Sequence, residues 1–257
     1  MWMNRVYAHE TEEQLSVVPQ PLLDQIIRTN SLNFTYLALG LIVLLVALSI
    51  LLKNKTEWLK LILFITMALI ILANTIYLSG STIYLNQVSV TGGPVHYHAD
   101  FEIYNCGVKV EIKDPQWFSN QVGTEVVHEH NDNRMHIEGV LLDKHDTSIS
   151  HFFEQLGGSM RNTYLTVPTN EGDLTLRNGE RCLDGKNGIL QVFVYKTDGE
   201  TFRQTKLTDP QNYQISPESN VPPGDCIILE FDSINRTKTD KLCQNYKLAK
   251  ELEKIHD

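Results

Sequence analysis

Two uncharged apolar runs, separated by only eight residues, constrain this chain more than any other feature: 34–52 (FTYLALGLIVLLVALSILL) and 61–78 (LILFITMALIILANTIYL). A helix rises about 1.5 Å per residue, so each run covers roughly the 30 Å hydrocarbon core of a bilayer. In lipid every backbone amide must be bonded within its own segment, which makes both runs helices. The alternative, a buried hairpin of a soluble protein, would need a very large core around it. The reading is a transmembrane helix hairpin over 34–79, with spans at 34–52 and 58–79. A cleaved signal peptide is not expected, because 33 mostly polar residues precede the first run.

Charge orients the hairpin. The connecting KNKTEWLK carries Lys53, Lys55 and Lys60 against Glu57, and no basic residue follows the second run until Lys109. The Lys bias places the short loop in the cytoplasm. The N-terminal segment 1–33 and the 178 residues of the C-terminal part then lie outside the cell membrane. Tyr36, Trp58, Tyr77 and Tyr84 fall near the span ends, where interfacial anchors sit. Lys and Arg number 22 and Asp and Glu 31, a net charge of −9. Residues 1–79 balance five bases against five acids, so the whole excess lies in the exported part. That acidity argues against nucleic acid as a partner. The partner expected is the lipid bilayer; membrane-protein partners or a homo-oligomer stay open.

The expected fold class is α+β: a two-helix hairpin, then a β-rich exported domain with a short internal helix and a C-terminal helix. Residues 80–90 read as a tether, 91–160 as a His-rich α+β subdomain, and 161–257 as a β-rich subdomain with the closing helix. Whether the last two are one domain or two is left open by loop-rich β sequence. DFEIYN (100–105) and VKVEI (108–112) form a hairpin pattern around Cys106-Gly107. EVVHEH (125–130) and RMHIEG (134–139) flank the turn-prone Asn131-Asp132-Asn133. SISHFFEQLGG (148–158) reads as a helix capped by Ser148 and stopped at Gly157. Further strands are expected at 163–167, 189–196, 201–205 and 226–231, with turns at Asn178-Gly179 and Asp198-Gly199. An amphipathic helix over 239–256 presents Leu242, Tyr246, Ala249, Leu252 and Ile255 to the sheet.

Seven of the nine histidines fall between 96 and 151, and five form a pattern: His96-Tyr97-His98, His128-Glu129-His130, and His136. Alternate residues of a strand share a face, so the two imidazoles of one H-x-H can reach a common ion. Two such strands side by side supply three or four imidazoles, and His136 follows a tight turn from His130. Asp100, Glu102, Asp132 and Glu138 are nearby carboxylates, either as ligands or as acceptors for the other ring nitrogens. The expected cofactor is a divalent metal ion, zinc or copper, held on His96, His98, His128, His130 and His136. Metal-free hydrogen-bonding or pH sensing by clustered imidazoles are the competing readings. His145 and His151 are expected to be plain surface groups, and His9 and His256 to be solvated.

The runs HYHADFEIYNCG, HEHNDNRMHIEG and SISHFFEQLGG resemble a group of uncharacterised membrane-anchored His-rich proteins of bacterial candidate phyla and archaea. Their exported domains read HxHADFxIYxxG…HxHxxNxxxHIEG…FFxxLGG, and the likeness covers about 94–158. It implies that the five histidines belong to one pattern, and it carries no activity to transfer. His96-x-His98-x3-Glu102 before Gly107 is also similar to the first cupin motif, though the gap to the glycine is short and no second motif follows.

An exported location permits disulfides. Of the four cysteines, Cys182 in a polar loop and Cys243 near the last helix are the expected pair, with Cys226 a buried side chain in its strand. Asn33-Phe-Thr and Asn235-Arg-Thr are glycosylation sequons on the outer side. No phosphate loop, G-x-S-x-G elbow or H-E-x-x-H is found, and no nucleophile is singled out. Three functions follow: a metal-binding module, an enzyme with a multi-His, cupin-like metal site and Glu102, Glu129 or Asp132 as acid–base partner, or a metal-free subunit of a membrane or surface complex.

Overall fold

A computed structural model of the chain describes residues 23–116, 118–215 and 224–256, which fall into two compact units divided between Thr82 and Ile83. The first unit holds α1 (Leu23–Leu51) and most of α2 (Glu57–Val88), both long and apolar enough to cross a membrane. Among their described side chains only Leu63 is buried within the chain. Thr66, Thr75 and Thr82 donate their hydroxyls to the carbonyls of Ile62, Ile71 and Leu78 one turn back, at 2.8, 2.9 and 3.0 Å. Such back-bonding is how a hydroxyl is satisfied inside an apolar helix.

The expected tether at 80–90 is largely helix, since α2 continues to Val88. SGSTIYLNQ contains no proline, and its single Gly80 costs the helix only about 1 kcal/mol relative to alanine. At the other end, 23–33 belong to α1, while 1–22, with His9, lie outside the described residues.

The second unit is built on an eight-stranded mixed sheet. Its first long strand, β1 (Pro94–Asn105), turns at Cys106-Gly107 into β2 (Val108–Val110). Then come β3 (Val122–Gly123), β4 (Val127–Glu129) and β5 (Arg134–Val140). The chain leaves the sheet through a 3-10 turn (Lys144–Thr147) and α3 (Ile149–Gln155). A separate three-stranded sheet follows, β6 (Ser159–Arg161), β7 (Tyr164–Thr169) and β8 (Gly172–Arg177). The chain re-enters the large sheet with β9 (Ile189–Asp198), β10 (Thr201–Lys206) and β11 (Asp225–Asp232), and closes with α4 (Gln244–Glu251). The large sheet runs β10-β9-β11-β1-β5-β4-β3, with β2 paired to β1. Strands from before and after residue 160 therefore share one sheet, joined by the parallel pair β1·β11, Ala99↔Asp225 through Asn105↔Phe231.

Strand alternation sorts the side chains onto two faces. Phe101, Ile103, Met135, Ile137, Ile227, Leu229, Val192 and Val194 face one way, onto α3 and the small sheet. Phe101 meets Phe152 and Phe153 of α3 edge-on, ring centroids 5.3 and 6.2 Å apart. Each such pair adds about 0.5–1.5 kcal/mol beyond burial. Ser148 caps α3 as expected, its hydroxyl accepting the His151 amide at 3.2 Å. On the other face Phe193, Tyr195, Cys226 and Ile228 pack under Tyr246 and Ala249 of α4. Strand β11 is apolar on both sides because both its faces are covered.

The last helix is shorter than the expected 239–256. Glu253 takes a positive φ of 55° and ends it, and His256 then bridges to Thr201 at the edge of β10. Tyr246, Ala249 and Ile255 are buried, whereas Leu252 is exposed. The cysteine pairing also differs from expectation. Cys106 bonds Cys182 and Cys226 bonds Cys243, with Cα–Cα distances of 5.6 and 5.7 Å. Cys226 points to the α4 side of its strand, where Cys243 stands at the helix N-cap; Cys182 lies instead beside the β1–β2 turn.

Candidate metal centre

Strands β1, β5 and β4 are neighbours, and their register aligns three histidines in one row: His98 opposite His136, and His136 opposite His128. Alternation puts His96 and His130 on the same face, toward the two ends of that row. The half of this face over β9 and β11 is covered by α4; the rings occupy the other half. His98 lies 4.7 Å from His136 and 4.5 Å from His96, centroid to centroid. His128 stacks on His136 at 5.3 Å with planes 5° apart, and His130 lies 4.8 Å from His136.

Two residues shape the β4 side. Glu129, on the opposite face and fully buried, accepts the amides of Asp132 and Asn133 at 2.7 and 2.9 Å. It holds the turn in which Asn131 and Asn133 adopt positive φ, 65° and 55°. Glu129 is thus a turn support rather than the acid–base partner considered from the sequence. His130 Nδ1 bonds the Asn120 carbonyl, which orients the ring.

The four carboxylates divide. Glu138 Oε1 lies 3.0 Å from His96 Nε2 and 3.8 Å from His136 Nδ1, and Asp132 Oδ2 lies 3.4 Å from His136 Nε2. Asp100 is instead taken by Arg134 at 2.8 Å and by Asn245 of α4 at 3.1 Å. Glu102 accepts the Tyr104 hydroxyl and pairs with Lys247 at 3.7 Å. The structure therefore does not bring Asp100 or Glu102 to the imidazoles. A cupin-like His-His-Glu set would need Glu102, which shares the face of the imidazoles but lies at its α4-covered half, against Lys247.

Burial keeps the central imidazoles uncharged. It lowers the pKa of His136 to about 4, against the opposing pull of Asp132. Burial, with repulsion from His96 and His130 respectively, also lowers those of His98 and His128. A neutral ring offers a lone pair, the form a metal needs. The buried Nδ1 atoms of His128 and His136 find no hydrogen-bond partner among the described residues. An unpaired buried polar atom costs about 1–3 kcal/mol, and a cation would remove that cost.

Donor atoms of His96, His98, His136 and Glu138 lie within 4.8 Å of one another, as do those of His128, His130 and His136. These groups could hold a metal ion. Zinc–nitrogen bonds are about 2.0–2.1 Å, so donors on one ion stand at most about 4 Å apart, somewhat closer than the 4.8 Å limit within which each group lies.

A third group was not foreseen. His145 on the 3-10 turn and His151 and Glu154 on α3 also bring donors within 4.8 Å of one another. His151 is not on an outer face: its side chain is 16% exposed, with Asp146 3.9 Å away. The His-x-x-Glu spacing on one helical turn was its sequence signal. Glu154 is already bound by Arg161 at 3.0 Å, which competes with any ion there.

Comparison of the chain with protein-family models, with curated proteins and with solved structures finds no match. The reading of this site rests on its geometry alone.

Proposed function

We propose that this protein is a membrane-anchored, extracytoplasmic divalent-metal-binding protein. The single observation that carries this reading is the row of five imidazoles on one half-face of the sheet, two of them buried with a ring nitrogen that has no hydrogen-bond partner among the described residues. Imidazole with one carboxylate suits zinc or copper. Two apolar helices and two disulfides support a bilayer anchor with the β-rich unit on the oxidising side, the cytoplasmic side being that of Lys53, Lys55 and Lys60.

The test is metal analysis of the full chain purified in detergent. Bound zinc or copper at one equivalent or more is expected, lost when His98, His128 and His136 are all changed to Ala. A chain that takes up neither ion above pH 7 overturns the reading and leaves the metal-free subunit. Protease added to sealed, right-side-out vesicles should digest 83–257; protection would overturn the orientation.

One observation favours a second reading, a metal-dependent hydrolase. The rim of the row is open, with the His96, Asp132 and Glu138 side chains 62%, 46% and 38% exposed. A metal with an open position there lowers the pKa of bound water to about 7. Zinc-dependent turnover of chromogenic esters, lost with the same His changes, would favour this reading.

A further inference from the structure

The five rings do not meet at one point. They fall into two groups, one of His96, His98, His136 and Glu138, the other of His128, His130 and His136, and only His136 is common to both. The register explains why. Strand β5 is the middle strand, so the His136 ring stands between His98 and His128, edge-on to the first and stacked on the second.

The two nitrogens of that ring face opposite ends of the row. Nδ1 is 3.8 Å from Glu138 Oε1, a member of the first group. Nε2 is 3.4 Å from Asp132 Oδ2, on the turn that follows His130 of the second group. The side chain of the shared residue is 11% exposed and its Nδ1 has no hydrogen-bond partner among the described residues.

We infer that the row binds two divalent transition-metal ions, His136 giving Nδ1 to one and Nε2 to the other. This rests on the metal-binding reading above. The ion at the His96 end would have four protein ligands, His96, His98, Glu138 and His136, the closed coordination of a structural site. The ion at the turn end would have three imidazoles, with Asp132 or water in the fourth place, the coordination of an open site. A neutral imidazole keeps one N–H, so binding the second ion displaces that proton to solvent, one per chain, with no change of oxidation state.

The experiment counts metal on the full chain in detergent. A His151→Ala background keeps the third His group out of the count. After zinc loading and removal of excess, two zinc per chain are expected. The count should fall to one in His128→Ala/His130→Ala and to one in His96→Ala/Glu138→Gln. With copper as probe, the bridged pair should couple magnetically. The paramagnetic resonance intensity per copper should then be lower in the parent than in either double variant. Circular dichroism and non-reducing gels on each variant confirm that the fold and both disulfides persist. One zinc per chain in the parent overturns the two-ion inference while the metal reading stands. No zinc overturns both. Two zinc with full, uncoupled copper intensity overturns the bridge through His136.

Discussion

Gly224 lies against the backbone of His98: a Cβ at residue 224 would stand 1.6 Å from the His98 carbonyl oxygen. The glycine also has φ of 83°, which L side chains rarely adopt. It is the point at which β11 comes alongside β1 beneath one of the candidate ligands. Gly224→Ala should therefore destabilise the fold by about 2 kcal/mol or more and weaken metal uptake. Gly179, with φ of 95° and nothing within 4 Å of its would-be Cβ, is the control, and its Ala variant should cost about 1 kcal/mol. Denaturant unfolding of the two variants checks this; equal losses would show that contact with His98 is unimportant.

Non-reducing peptide mapping should recover Cys106 with Cys182 and Cys226 with Cys243. In the chain-entropy picture the bridge across 17 residues contributes about 3 kcal/mol and that across 76 about 4–5. Changing Cys226 and Cys243 together to Ser should lower the melting temperature and free α4 to proteolysis. Recovery of a Cys182–Cys243 peptide would refute the arrangement.

Glu129→Ala should remove the acceptor of two turn amides, at a cost of roughly 2 kcal/mol. Because that turn carries Asp132 and follows His130, metal affinity should fall with it. Glu129→Gln, which keeps an acceptor oxygen, should recover most of the loss. Zinc titration of both variants reads the effect, and wild-type affinity in Glu129→Ala would show that the turn does not position the rings.

The metal-free chain should lose stability as pH falls from about 6.5 to about 4. His136 is harder to protonate folded than unfolded, so the unfolded chain binds more protons in that window. The stability is fully present above the unfolded value of 6.5 and is lost as pH drops toward the folded one, by roughly 3 kcal/mol at most. Asp100 and Glu129, with pKa values raised by burial, act with the opposite sign. The difference between the chain and its His136→Asn variant isolates the ring. Parallel pH profiles for the two would contradict the assignment.

Much of this architecture was legible in the residues themselves, because it depends on short-range periodicity. An uncharged run of 19 residues has no other stable state in lipid, and H-x-H on a strand puts two rings on one face whatever the strand pairs with. Ser148 and Gly157 bound α3 by local hydrogen bonding and backbone freedom alone. Tertiary pairing decided the rest. Nothing local says that β5 lies between β1 and β4, yet that order makes His136 the shared ring and divides five histidines into two groups instead of one. Nor does spacing tell Cys226 that Cys243 will stand over it, or send Glu102 toward Lys247 and away from the imidazoles. These outcomes depend on which strands meet and which face a helix covers. Both are set by burying apolar surface across the whole unit, a sum over residues far apart in the chain.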